Sequence, residues 1–326
     1  MPPYLRGDEA STAYFSLGGR IEQIQQYEPE FWPAGGPIDI AEYHRQFDEF
    51  LNAQSAARQI VYHYTTLPGF LGMVKDGHIW ASDVRTMNDR AELRYAMSHM
   101  CAALEAQHPA LRVALRGIFH GAKTWRFASC FSFSADQLSQ WRAYGSEVGV
   151  SVGFDRSHLE RVASHHDAEF RECRYFKPDE FARLLSELQP IADALQQSNA
   201  INADGALTDV ALQSDLQKQA LKIASSIKHY SFEEEQEVRL IAPTERTGSH
   251  IAYRGTDRAI VPYRCLDLDS RRRGIATRER FRNFLGMIEV LVWPNDADEQ
   301  ILDAIDMVLH DAGKVWISRS ASPYRT

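Results

Sequence analysis

Glu235, Glu237 and Arg239 stand at every second position of the run Glu235-Gln236-Glu237-Val238-Arg239-Leu240-Ile241. Read as a strand, the run puts these three side chains on one face and Val238 and Leu240 on the other. A polar triplet is costly to bury without partners, so its expected place is the lining of a cleft. Glu237 and Arg239 then form a structural ion pair, or Glu237 is a carboxylate that polarises a sugar hydroxyl or stabilises developing positive charge. Glu233-Glu234-Glu235 also reads as a solvated charge run. Far upstream, Val61-Tyr62-His63-Tyr64-Thr65 reads as a strand with an inward histidine. His63 is either a core residue bonded to backbone or an imidazole that holds a ligand hydroxyl or phosphate. Thr65 and the N-terminus of the next helix would add donors for an anion.

Other residues offer weaker signals. Asn88-Asp89 reads first as a helix N-cap, with the Asn88 amide open to a ligand. Trp141 and Tyr144 share a helix face, as a core stripe or as a platform for a planar heterocycle. Asp89, Glu235 and Glu237 could supply oxygen ligands to the metal of a nuclease or hydrolase, without any tight ligand motif. Arg271-Arg272-Arg273, with Arg278, Arg280 and Arg282, is a solvated loop or a contact for a nucleic-acid backbone. Cys101, Cys130, Cys173 and Cys265 are scattered without a C-x-x-C pair, which argues against a zinc site or disulfide framework. Cys130 reads as a buried small residue, with a nucleophile activated by His63 as the alternative.

The elements that must position these residues follow from pattern and capping. After the Val61 strand, Thr65 or Thr66 caps a short helix with Pro68 in its first turn and Gly77 at its end. A strand at His78–Ala81 precedes a helix from Asn88 or Asp89 to Met100. Arg126–Phe133 reads as a strand, and Ser134 caps the helix carrying Leu138, Trp141 and Tyr144. Strands are expected at Glu147–Phe154, Phe170–Phe176, Glu237–Ala242, Ala259–Cys265, Ile288–Trp293 and Val315–Ser318. Helices are expected at Pro178–Gln197, Asp209–Lys228 and Asp296–His310. Short strands among dispersed helices predict an α+β fold with mixed or antiparallel sheets. Residues 1–58 read as an N-terminal extension with one helix from Asp39 towards Arg58, and 59–326 as one domain of catalytic type.

Composition sets outer bounds. The 36 basic residues fall short of the 44 acidic ones, giving a net charge of −8 that disfavours non-specific adhesion to nucleic acid or anionic lipid. The opening residues have no signal-peptide core and no apolar run is long enough to span a bilayer, so the cytoplasm is the default expectation.

The ordered motifs resemble a bacterial family catalogued as domain of unknown function twenty-nine seventy-one. They are Tyr62-His63-Tyr64-Thr65, Asn88-Asp89, Cys130-Phe131-Ser132, Trp141 with Tyr144-Gly145, and Gly149 to Phe154. Glu235-x-Glu237-x-Arg239, Pro262-Tyr263 and Ser320 to Arg325 complete the set, which covers about residues 60–326. Asn88-Asp89-Arg90 departs from the family's frequent Asn-Asp-Pro, and Phe232 stands where Trp is common. A more distant resemblance is to ADP-ribosyltransferases of the His-Tyr-Glu type, including those that modify DNA bases. That resemblance implies a split-sheet core and NAD as co-substrate. It gives His63 the ribose, Tyr144 or Trp141 the nicotinamide, and Glu237 or Glu235 the catalytic carboxylate. Tyr64, Thr65, Asn88, Ser132 and Arg239 would lie around the co-substrate. It also implies an acceptor that is nucleic acid or protein, and a role such as toxin or antiphage effector. A non-catalytic binding or regulatory module, with Glu235 and Arg239 structural, is the remaining reading.

Overall fold

β-Branched and aromatic residues fill Ile60–Thr66, which forms strand β1 in the computed structural model. The structure describes residues 45, 49, 53, 57, 59–86, 90–121, 125–145, 148–244, 251–255, 259–272, 284–293, 299–310 and 315–321. Of the expected N-terminal helix only residues 45, 49, 53 and 57 are described, the first three helical, and Asn88, Asp89, Arg273, Arg278, Arg280, Arg282 and Pro323–Arg325 lie outside the described residues. Helix α1 (Leu67–Asp76) starts as its sequence dictates: Thr66 Oγ1 accepts from Gly69 N at 3.3 Å, and Pro68 sits in the first turn. It ends at Gly77, whose φ of 68° belongs to the left-handed region that favours glycine.

The elements that follow are β2 (His78–Asp83), α2 (Arg90–Gln107), α3 (Arg112–His120) and β3 (Trp125–Ser132). Next come α4 (Leu138–Tyr144), β4 (Gly149–Asp155), α5 (Arg156–His165), β5 (Glu169–Glu172) and β6 (Arg174–Phe176). A 3-10 turn at Pro178–Leu184 leads into α6 (Leu185–Gln197), followed by α7 (Val210–Ala224) and β7 (Ile227–His229). A second 3-10 turn, Tyr230–Glu235, precedes β8 (Glu237–Thr244), β9 (Ile251–Gly255) and β10 (Ile260–Asp267). Strand β11 (Met287–Val292), α8 (Glu299–Leu309) and β12 (Trp316–Arg319) close the series. The fold is α+β with mixed, mostly antiparallel pairing, as the pattern predicts.

Three elements depart from expectation for reasons of long-range pairing. The helix expected over Asp209–Lys228 ends at Ala224, where Ser225 Oγ donates back to Leu221 O. Residues Ile227–His229 instead pair in parallel with Arg174–Phe176. The strand expected over Phe170–Phe176 breaks at Cys173, whose N–H donates to Glu237 O while Arg174 N–H donates to Ser226 O. The change of partner makes one run into two strands. Helix α4 starts at Leu138 rather than after Ser134 because the Ser134 carbonyl accepts from Tyr64 Oη and its N–H donates to Ser132 Oγ.

The chain divides into two compact units. The first comprises Met1–Ile79, Phe131–Val162 and Asp267–Thr326. Its strands run β12-β11-β4-β1, antiparallel except for the parallel β11–β12 pair. One face carries Tyr62, Tyr64, Leu291, Trp293 and Trp316 against Trp141. Gly153 sits where an added Cβ would come within 2.9 Å of both Glu289 Cγ and Tyr62 Cε1. Its missing side chain lets Tyr62 Oη reach buried Glu289 across the sheet.

The second unit comprises Trp80–Cys130 and Ala163–Leu266. Its strands run β5-β8-β3-β2-β10-β9, with β6 and β7 as a separate parallel pair. A helical core adjoins them. In α2, Ala96, Met97, Met100, Cys101 and Leu104 fall on one helical face, and they pack with Leu188, Ile191 and Leu195 of α6 and Leu216 and Ala220 of α7.

Candidate functional site

Glu237 and Arg239 are two residues apart on β8 and both are buried, at 5 % and 4 % exposure. Strand geometry sends both side chains to one face, as the alternation predicts. Arg239 Nε donates to Glu237 Oε1 at 2.6 Å, and Nη2 donates to Glu237 Oε2 at 3.0 Å. Nη2 also reaches Glu92 Oε2 on α2 at 2.6 Å, and Nη1 donates to Ser225 O at 2.9 Å. The planar guanidinium is thus bonded on every side that it presents.

Lys228 completes the cluster. Parallel pairing of β6 with β7 sets it beside Tyr175, and the Tyr175 hydroxyl accepts from Glu237 N–H at 2.7 Å. The ammonium lies 2.7 Å from Glu237 Oε2, 2.6 Å from Glu235 Oε2 and 2.8 Å from Glu92 Oε1. Three carboxylates converge on one nitrogen, which satisfies its three N–H donors. Phe232 covers it, with Nζ 4.9 Å from the ring centroid.

Glu235 reaches this cluster by a route that simple alternation does not give. It ends a 3-10 turn, and Gln236 adopts a φ of 43° in the left-handed region. The turn, not a strand face, aims its carboxylate at Lys228. Its side chain is 19 % exposed, against 12 % for Glu92 and 6 % for Glu237, so Glu235 is the carboxylate nearest to solvent.

The two neighbouring carboxylates are pushed apart in acidity. Burial would raise Glu237, but Arg239 and then Lys228 outweigh it and hold the carboxyl down at about 2. For Glu235 burial prevails over Lys228, and its pKa is raised from the ordinary carboxyl value. Burial, reinforced by the Glu237 carboxylate, pushes the Cys130 thiol well up, and the thiol bonds to Glu237. That shift disfavours the thiolate that an activated nucleophile needs.

The first unit holds the other expected residues. His63 is half-buried on β1, with its ring 5.6 Å from that of Phe131, and Thr65 is half-buried nearby in sequence. Tyr64 is buried and structural in its bonds, accepting from Gln137 N–H at 2.8 Å and donating to Ser134 O at 2.8 Å. Burial raises its phenol above the usual range. Ser132 is buried and accepts from Ser134 N–H. Trp141 is wholly buried, edge-on to Tyr64 and Trp293, and its indole N–H donates to Asp136 Oδ1 at 2.7 Å. Tyr144 packs half-buried on the same cluster. These contacts fit the core stripe, with the indole face spent on packing.

Arg271 and Arg272 also have structural work. Arg271 clasps Asp269 with two donors and stacks on Phe284 at 3.4 Å, and Arg272 donates to Asp76 O at 3.0 Å. With Lys75 they line a cleft of about 320 Å³.

Lys228, Glu92 and Tyr175 were not legible as site residues. Lys228 fell at the end of an expected helix, and Glu92 looked like an ordinary first-turn acid of α2. The signal available was a lone lysine behind Ile227 in a stretch that also holds His229 and Tyr230.

No helix among the described residues is long and apolar enough to cross a membrane. Neither the curated proteins nor the solved structures gave a match. Residues 140–240, which carry Lys228, Glu235, Glu237 and Arg239, match the family model described as Protein of unknown function (DUF2971), and the resemblance seen in the ordered motifs is to that family.

Proposed function

We propose that the protein is an ADP-ribosyltransferase-like enzyme that cleaves the N-glycosidic bond of NAD, with Glu235 as its working carboxylate. The observation that supports this reading is the pair Glu235 and Glu237 on one ammonium, with the pKa of the deeper partner lowered and that of the shallower one raised. Neighbouring carboxyls whose environments separate their pKa values are a recurrent mark of acid–base sites. The bond from ribose C1′ to the pyridinium nitrogen breaks with its electron pair on nitrogen, and nicotinamide leaves neutral. An ionised carboxylate stabilises the oxocarbenium centre. An acceptor oxygen or nitrogen, or water, then bonds to C1′ and gives its proton to Glu235, whose raised pKa suits a general base. Glu237, Arg239 and Lys228 hold that carboxylate in position.

The acceptor class, nucleic acid or protein, and a role as toxin or antiphage effector belong to the same proposal. The test compares NAD turnover in wild type and Glu235→Gln, with the melting temperature of each measured with and without NAD. Loss of turnover with the NAD-induced shift retained supports the reading, and equal turnover overturns the role of Glu235.

A metal-dependent hydrolase fits less well. The Glu235 and Glu237 carboxylates of its ligand set are engaged by the Lys228 ammonium, and Asp89 lies outside the described residues. The tight ionic network itself favours a second reading, a purely structural cluster in a binding module. Glu235→Gln with unaltered activity, or no NAD effect on the wild type, would select it.

A further inference from the structure

Strands β9 and β10 pair with Val261 opposite Arg254 and Tyr263 opposite Ala252, so Arg254 and Tyr263 share a sheet face. Trp80 and Ser82 of β2 meet them there. The Trp80 and Tyr263 rings lie 4.6 Å apart at an interplanar angle of 34°, and the Arg254 guanidinium stands 5.4 Å from the Trp80 ring centre. Arg254 Nη2 donates to Ser82 Oγ at 3.0 Å. Trp80 is nonetheless 38 % exposed, which leaves indole surface open to a ligand.

The charge on Arg254 is the unusual part. This protein has more acidic than basic residues, and Arg239, its counterpart on β8, takes two carboxylates. Among the described residues no carboxylate pairs with Arg254, and its buried Nε has no acceptor. Burial lowers its pKa below the usual guanidinium value, as expected of a cation held without an anion. A structural arginine would find one of the abundant acids. Among the described residues this one is held over the Trp80 ring with no acid beside it, which suits it to an outside anion.

Position adds to the case. Ser82 lies opposite Ala128 in the β2–β3 pair, and continuing that antiparallel register sets Trp80 opposite Cys130. The Cys130 thiol bonds to Glu237. The aromatic pair therefore lies on the sheet face of the carboxylate cluster.

We propose that Trp80, Tyr263 and Arg254, with Ser82, form a nucleotide-binding platform: a base stacks on the exposed indole and its phosphate pairs with the guanidinium. Base–aromatic stacking and an arginine–phosphate pair together recognise this ligand class whether it comes free or within a single strand. Binding rests on these four residues alone. Only the step by which the bound nucleotide meets Glu235 rests on the proposed glycosyl-transfer chemistry.

The test is calorimetric titration of the Glu235→Gln protein, so that turnover is silent, with AMP, adenosine and a short single-stranded oligodeoxyadenylate. Saturable binding of AMP or the oligonucleotide is expected, weakened about tenfold or more by Trp80→Ala and much less by Trp80→Phe. Arg254→Gln is expected to bring AMP down to the affinity of adenosine and to leave adenosine unchanged. Equal affinity for AMP and oligonucleotide identifies a free nucleotide as the ligand. Tighter, steeply salt-dependent oligonucleotide binding identifies a strand. Circular dichroism confirms that each variant is folded. Failure of both ligands to bind, or binding unchanged in Trp80→Ala and Arg254→Gln, overturns the platform.

Discussion

Glu235 and Glu237 sit two residues apart and share a lysine, yet substitution should separate them cleanly. Glu237→Gln leaves Lys228 and Arg239 short of a buried counter-charge, and losing one partner of such a network costs roughly 3–5 kcal/mol. Glu235→Gln keeps an acceptor for Lys228 at a shallower position, with an expected change within about 1 kcal/mol in urea unfolding. The pH dependences have opposite signs. Glu237 is depressed to about 2, so the stability from its ionisation is present above the ordinary value of 4.5 and is lost as pH falls from 4.5 towards 2. Glu235 is raised, so its contribution is present below its unfolded pKa and lost as pH rises through the folded one. Melting curves across the acid range should lose the acid-side fall in Glu237→Gln and the alkaline-side fall in Glu235→Gln. Alternation along the sequence placed Glu237 and Arg239 correctly. It placed Glu235 with them for a reason that fails, since left-handed Gln236 interrupts the strand and only Lys228 restores the association.

At the scale of elements, legibility followed the range of the forces involved. Helix α1 was readable because Thr66, Pro68 and Gly77 fix it locally. The ends of α7 and the break between β5 and β6 were not, because Cys173, Arg174 and Ile227 choose partners that are tens of residues away. Two substitutions test the packing that results. Gly153→Ala would press a methyl against Tyr62 and Glu289, an overpacking expected to cost about 1–3 kcal/mol in denaturant unfolding. Trp141→Phe keeps most of the apolar contact but leaves Asp136 without the indole N–H. A loss of about 1–3 kcal/mol is expected, with NAD turnover unchanged if Trp141 is core rather than a nicotinamide platform.

For the molecule as a whole, the α+β class was legible from short strands among helices, while the carboxylate cluster needed the sheet order of the second unit to be seen. Glu92 comes from α2, Lys228 from β7 and Glu237 from β8, and no local pattern links them. Their convergence gives the acidic chain an internally compensated cluster, and Trp80, Tyr263 and Arg254 give it a cationic aromatic surface. The central claim is that Glu235 works on the glycosidic bond of NAD while its neighbours hold it. Proton NMR of NAD incubated with purified protein measures it most directly. The account predicts that free nicotinamide accumulates with wild type and does not with equally folded Glu235→Gln. Intact NAD in the wild-type sample, or nicotinamide released equally by the variant, would contradict it.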